Sequence, residues 1–350
     1  MQRSSARVVR LAAAILAMFV LIEGTALAQY TVTYLDANQA GKAIQPPDPN
    51  LVNAWGIARA PNSPYWVSDN GTGKSTLYTA DGTRQGLVVE IPAASGQGPG
   101  TPSGIVFNGN NVFNVSKNGM SGPAIFIFDT QDGTISGWNP GVDLTHAVIA
   151  VDKSASGTVY TGLAIASDIN WLYAADNSAT GPKNAVNVYD ANFNHIDTFN
   201  DPAIPDGFAA YGVQVIGHEV FVTYASTSNA PGGFIDTFGE FGGTPVRFAS
   251  NGTLNQPWGL ALAPGNFGPL SHAILVGNNT PDGIISAFSR SGKFLGLLKS
   301  PAGSVLHIDQ LWGLEFGSGN APAGARNELF FTAGPQNYAN GRFGVIHFKP

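Results

Sequence analysis

From Tyr30 onward the chain alternates short apolar runs, four to seven residues long and rich in β-branched and aromatic types, with breaks of Gly, Asn, Asp and Pro. Runs of that length and composition are strands, and no segment beyond the N-terminus sustains a 3.6-residue period. Six runs open with a glycine followed by an aliphatic residue, at Gly56, Gly104, Gly162, Gly212, Gly259 and Gly313, spaced 47 to 58 residues apart. A period in that range marks a stacked or radial array of supersecondary units. Each glycine is followed by a second and a third apolar run, and most units add a shorter fourth. In the second unit these are 111–115, 124–128 and 134–138, followed by an insertion at 141–156 that is either a surface loop or an extra strand. The sixth unit shows three runs, whereas Tyr30–Leu35 belongs to no unit. Pairing the two removes an exposed sheet edge. The pattern therefore predicts an all-β, six-bladed β-propeller of four-stranded antiparallel blades, its ring closed by the N-terminal strand.

Residues 1–28 are of another kind: Arg3, Arg7 and Arg10 precede an apolar stretch, Leu11–Ile22, and then Ala26-Leu27-Ala28. This is the layout of a secretory signal peptide, with an apolar core too short to span a membrane comfortably. Export to the periplasm or the extracellular space is expected, with residues 29–350 as one domain, a monomer without a membrane span. Removing Arg3, Arg7, Arg10 and Glu23 leaves 14 basic against 22 acidic side chains, a net charge of −8. That balance argues against nucleic acid or an anionic membrane as partner. There is no cysteine, which excludes disulfides, thiolate catalysis and Cys-ligated metals.

Gly56-Ile57-Ala58 with Tyr65-Trp66-Val67-Ser68-Asp69-Asn70, and Gly162-Leu163-Ala164 with Trp171 to Asn177, resemble NHL-type propeller repeats. The region after residue 28 also resembles an uncharacterised family of exported bacterial propeller proteins, some of which carry a PEP-CTERM sorting tail. His347-Phe348-Lys349-Pro350 is not such a tail. The resemblance implies the fold and export but no activity. Gluconolactonase-type lactone hydrolases are similar in shape only. Their pattern has a calcium-ligating Glu where this chain has Asn53-Ala54-Trp55, and fold alone does not transfer chemistry.

In a four-stranded meander the start of strand one and the end of strand two meet at one mouth of the central channel. The first set holds Asn53, Gln256 and Gln310, each two residues before a tryptophan, Trp55, Trp258 or Trp312. If those indoles line the channel, they form with the amides a surface for a small neutral, carbohydrate-like ligand. If they wedge between neighbouring blades, they are core. The second set holds Asp69, Asn118, Asp176 and Asn278, with Asn70, Asn177 and Asn279 beside them. Their oxygens suit Ca²⁺ rather than zinc or copper, or else they cap their own turns. Gly100-Thr101-Pro102-Ser103-Gly104 is not a G-x-S-x-G elbow, and His218-Glu219 does not continue as H-E-x-x-H. Of the six histidines, His307 lies nearest the expected mouth and His146 is second. The expected function is ligand binding or scaffolding at the channel mouth. The alternatives are a Ca²⁺-dependent hydrolase or lyase using the Asp/Asn set, and a module whose loops contact an envelope protein.

Overall fold

The computed structural model describes residues 29–96, 98–179 and 184–349, so the leader reading of residues 1–28 lies outside it. Six four-stranded antiparallel sheets follow one another along the chain, with almost no helix between them. The run that belonged to no unit closes the ring. Gln29–Ala37 pairs antiparallel with Arg342–Lys349 as the outermost strand of the sixth sheet, Tyr30 opposite Phe348 and Tyr34 opposite Gly344. Tyr30 is fully buried there, and its hydroxyl donates to the Phe267 carbonyl at 2.8 Å, tying the closing strand to blade five as well.

The repeated glycines sit at the same structural point. In every blade the pairing of the two innermost strands slips at the glycine, a bulge that pushes the backbone inward. In three blades the amide freed by the bulge donates to a strand-two side chain: Gly104 to Asp129 Oδ1 at 2.5 Å, Gly212 to Thr223 Oγ1 at 2.9 Å, and Gly313 to Thr332 Oγ1 at 2.9 Å. Each glycine abuts the inner strand of the next blade. A Cβ on Gly56 would fall under 3.0 Å from the Ser103 carbonyl; on Gly212 it would meet that of Trp258, and on Gly259 that of Trp312. Gly313 completes the circle against Ile57 and the Trp55 carbonyl.

The core is divided accordingly. Six apolar clusters lie between neighbouring sheets, in the order one-two, two-three, three-four, four-five, five-six and six-one. The six-one cluster joins Ile57, Tyr65 and Val67 to Phe330, Phe343 and Val345, with Leu35 from the closing strand. It forms only when the ring is shut.

Blade two corrects the strand assignment. The 111–115 run is not its second strand: Asn114–Lys117 pairs with Met120–Pro123 in a separate hairpin. Lys117 faces Met120 across a two-residue loop, Asn118-Gly119, with φ of 52° and 81°, the type I′ signature. Phe126–Thr130 therefore becomes the second strand, Thr134–Trp138 the third, and Val148–Asp152 the fourth. The 141–156 segment thus supplies a blade strand.

Gly259→Ala should lower stability by about 1–3 kcal/mol or more, because the methyl meets rigid backbone on the adjacent blade. Gly86→Ala, with open space at its Cβ, should change it by less than about 0.5 kcal/mol. Equal effects in denaturant titrations of the two variants would show that the glycine ring is not a packing constraint.

Candidate functional site

One residue before the glycine in blades one, four, five and six, an aromatic side chain turns into the space the six inner strands enclose. Trp55 of blade one stacks on Trp312 of blade six at 3.8 Å between ring centroids, and lies 6.2 Å from Trp258 of blade five and 6.5 Å from Tyr211 of blade four. Trp258 Nε1 donates to the Thr161 carbonyl of blade three at 2.7 Å. Blades one and four, or three and five, are not neighbours, so these contacts cross the central axis. The indoles are therefore channel residues rather than wedges between adjacent blades. They do not line an open passage, since together with Tyr211 they plug it at one level, and beyond them the axis keeps a cavity lined by Gly56, Gly104, Gly259, Gly313 and Trp258. Trp55 and Trp312 are buried, whereas Trp258 keeps partial exposure.

Over this plug, on the face where strands one begin and strands two end, lies a cavity of about 480 Å³ across blades four to six. Its wall is built of amides: Asn229, Asn255, Gln256, Asn279, Gln310 and Asn337, joined by Thr280, Pro281, Asp282 and Tyr338. Gln310 is only 4% exposed, and its side-chain oxygen Oε1 has no hydrogen-bond partner. A buried acceptor left unmade costs about 1–3 kcal/mol. The Asn279 amide is committed, accepting from Tyr338 Oη at 2.7 Å and donating to the Leu311 carbonyl at 3.2 Å. Burial raises the Tyr338 phenol above its ordinary range, with the Asp309 charge adding to it, and raises Tyr211 well above that range, so both remain protonated donors.

The backbone around the cavity is strained. Gln256 and Gln310 have φ of 52° and 53°, Asn229 has 57°, and Gln336, Asn337 and Tyr338 lie consecutively at 58°, 55° and 67°. A left-handed conformation costs a residue with a side chain on the order of 1 kcal/mol or more, and three in succession are rare. The 336–338 turn is held by the Gln336 amide donating to Asp309 Oδ2 at 3.0 Å, the Tyr338 amide donating to the Gly334 carbonyl at 2.8 Å, and the Tyr338 ring over Trp312 at 5.6 Å.

The structure brings Gln256 and Gln310 together at the mouth, over Trp258 and Trp312. Asn53 shares their left-handed backbone, with φ of 47°, but it braces the plug: its Oδ1 accepts from Trp312 Nε1 at 3.0 Å and its Nδ2 donates to Asn70 Oδ1 at 3.0 Å. The Asp/Asn set does not share a centre. Asn118 sits on the hairpin tip rather than at a strand-two end, because the extra hairpin displaces it. Asp69 accepts from Thr76 Oγ1 at 2.7 Å in its own blade, and complete burial raises its carboxyl well above the usual range, which disfavours the charged form that calcium requires. Asp176 Oδ1 caps the amides of Ser178 at 2.9 Å and Val159 at 3.2 Å. Asn278 is bonded to the Asn255 amide and the Thr253 carbonyl. His307 lies at the cavity edge with Nδ1 3.3 Å from the Asp282 carbonyl oxygen, and His146 stands beside Glu90 and Asp143, between blades one and two. Sequence reading missed Asn229, Asn255, Asn337 and Tyr338. The available signal was the clustering of amides in 253–256 and 334–340; Asn229 stands alone among hydroxyl residues.

Uncharacterized protein L690 of Acanthamoeba polyphaga mimivirus is 31% identical over 339 residues, 92% of this chain and 86% of that protein. The chain belongs to the L690 family. No protein-family model matches it. Among solved structures, a streptogramin B lyase superposes with a TM-score of 0.54 at 10% identity, covering 93% of this chain and 99% of the lyase. The PQQ-bound aldose sugar dehydrogenase of Streptomyces coelicolor gives 0.54 at 15%, covering 92% and 99%. Likeness at these identities establishes the propeller and no chemistry.

In this L690-family chain, blade two carries a buried carboxyl behind the plug. Asp129 Oδ1 accepts from Ser103 Oγ at 2.8 Å and from the Gly104 amide. Burial pushes its carboxyl up to about 7, against the lowering effect of those hydrogen bonds. Because the folded value lies above the unfolded value of about 3.9, the stability it contributes is complete below that value and is lost as pH rises through 7. Thermal melts from pH 4 to 8 should show a steeper decline for the native protein than for Asp129→Asn, whose amide stays neutral throughout. Parallel profiles would mean that Asp129 does not titrate in this window.

Proposed function

We propose that this protein is a non-enzymatic binding propeller whose amide-lined mouth takes a small neutral polyhydroxy ligand of the carbohydrate class. The observation that carries this reading is a large polar cavity with six amide side chains and a single carboxylate in its wall. The rest of the wall offers both donors and acceptors, which suits hydroxyl groups, and the Tyr338 ring in that wall offers an apolar face to a sugar ring. Strained non-glycine backbone concentrated at one mouth supports a site held in place for binding. Residues 1–28 read as a leader, which puts this binding outside the cytoplasm.

Titrating purified protein with a panel of neutral mono- and disaccharides should change tryptophan emission with saturation for at least one of them. Gln310→Met, nearly the same shape but without the acceptor, should weaken that ligand by roughly tenfold or more while leaving the melting temperature unchanged or raised. Equal affinity in Gln310→Met, or no response from any sugar at millimolar concentration, would overturn the reading.

A further inference from the structure

On the turns between blades three and four, three side chains that could ligate a metal converge. Asp168 lies in the turn joining the two inner strands of blade three, His218 in the equivalent turn of blade four, and Glu240 in the turn between that blade's third and fourth strands. Their ligating atoms all lie within 4.8 Å of one another, the one such group of three among the described residues. His218 Nδ1 is 3.2 Å from Asp168 Oδ2 and 3.4 Å from Glu240 Oε2.

A cluster of surface acids alone would mean little, but Glu240 is not on the surface. Its side chain is 7% exposed, and Oε1 is sealed from solvent without a hydrogen-bond partner. Burying a carboxylate is costly unless a cation neutralises it, and Oε2 is the oxygen that faces His218. The residue is also positioned from both sides. Its backbone carbonyl accepts from Tyr173 Oη of blade three at 2.8 Å, and the neighbouring Phe241 ring meets Trp171 edge-on at 5.1 Å. These contacts fix the Glu240 turn of blade four against blade three before any ion arrives.

We propose that Asp168, His218 and Glu240 form a binding site for a divalent transition ion, best matched by Zn²⁺, that clamps blade three to blade four. One imidazole and two carboxylates are a zinc donor set, and tetrahedral ligands at about 2.0–2.2 Å from the metal lie about 3.3–3.6 Å apart, close to the two separations from His218 Nδ1, with Asp168 and Glu240 within 4.8 Å of each other. An imidazole is a poor ligand for Ca²⁺, which takes oxygen donors. The site is thus distinct in chemistry and place from the calcium set expected at the mouth. The exposed side of His218 and Asp168 leaves the fourth position to water.

The test is calorimetric titration of the full chain, stripped with chelator, with zinc chloride, followed by melting with and without zinc. One ion should bind per chain and raise the melting temperature. Because loss of an outer-shell partner alone typically weakens metal binding by about 10- to 100-fold, Asp168→Ala and His218→Ala should each weaken Zn²⁺ at least that much and abolish the thermal shift. Both residues lie on exposed turns, so the variants should fold, which their metal-free melting temperatures will verify. Absence of zinc binding at millimolar concentration overturns the proposal. So does undiminished binding in the double variant, or calcium binding as tight as zinc.

Discussion

The approach of six glycines to the backbone of the next blade sets the radius of this ring, and everything else follows from that radius. A single methyl at most of these points would meet a carbonyl, an amide or a neighbouring side chain that belongs to another sheet. With the inner strands so near the axis, one side chain from each of four blades is enough to plug the channel. Three tryptophans and a tyrosine do so, and their contacts reach across the axis between blades that are not neighbours. The plug is thus a floor, and the open room at this mouth lies above it, among the loops.

The character of that room is unusual in being nearly uncharged. Six amides surround it, both nearby phenols stay protonated, and Asp282 is the one carboxylate in its wall. The opposite situation holds between blades three and four, where two carboxylates and an imidazole meet at the rim. Neutral donors and acceptors recognise hydroxyls with little long-range attraction, whereas the charged rim suits a cation. The propeller thus holds the two groups on opposite faces of the ring, since in blade four Asn229 follows the second strand whereas His218 and Glu240 lie in the turns at the other end.

The architecture was legible because one constraint, the glycine bulge, recurs in every blade with an aliphatic neighbour, and because a leftover strand had a vacant partner in the sixth sheet. Blade two was misread because Val112, Phe113 and Val115 have the composition of a blade strand. The Asn118-Gly119 dipeptide that marks a tight hairpin stood between them and the next run, and it outweighs composition there. Gln256 and Gln310 could be found because their offset from a Trp-Gly pair fixes where they stand. Tyr338 and Asn337 could not, since a run of left-handed residues is imposed by contacts with Asp309, Gly334 and Trp312 and carries no signature of its own. Asp69 and Asp176 look like ligands in sequence for the same reason that they serve as caps, which is that short oxygen-bearing side chains suit both tasks.

The pairing of Tyr30 with Phe348 joins residues separated by almost the whole polypeptide. A nascent chain emerging from the ribosome holds the first partner long before the second exists, so the one-six seam stays open until Phe348 has been made. Native contacts of such sequence separation are slow to form and leave apolar edges uncovered in the interval. The strand that secures the ring is thus also the last to find its place, and until it does the first and sixth blades keep the apolar faces of their shared cluster uncovered.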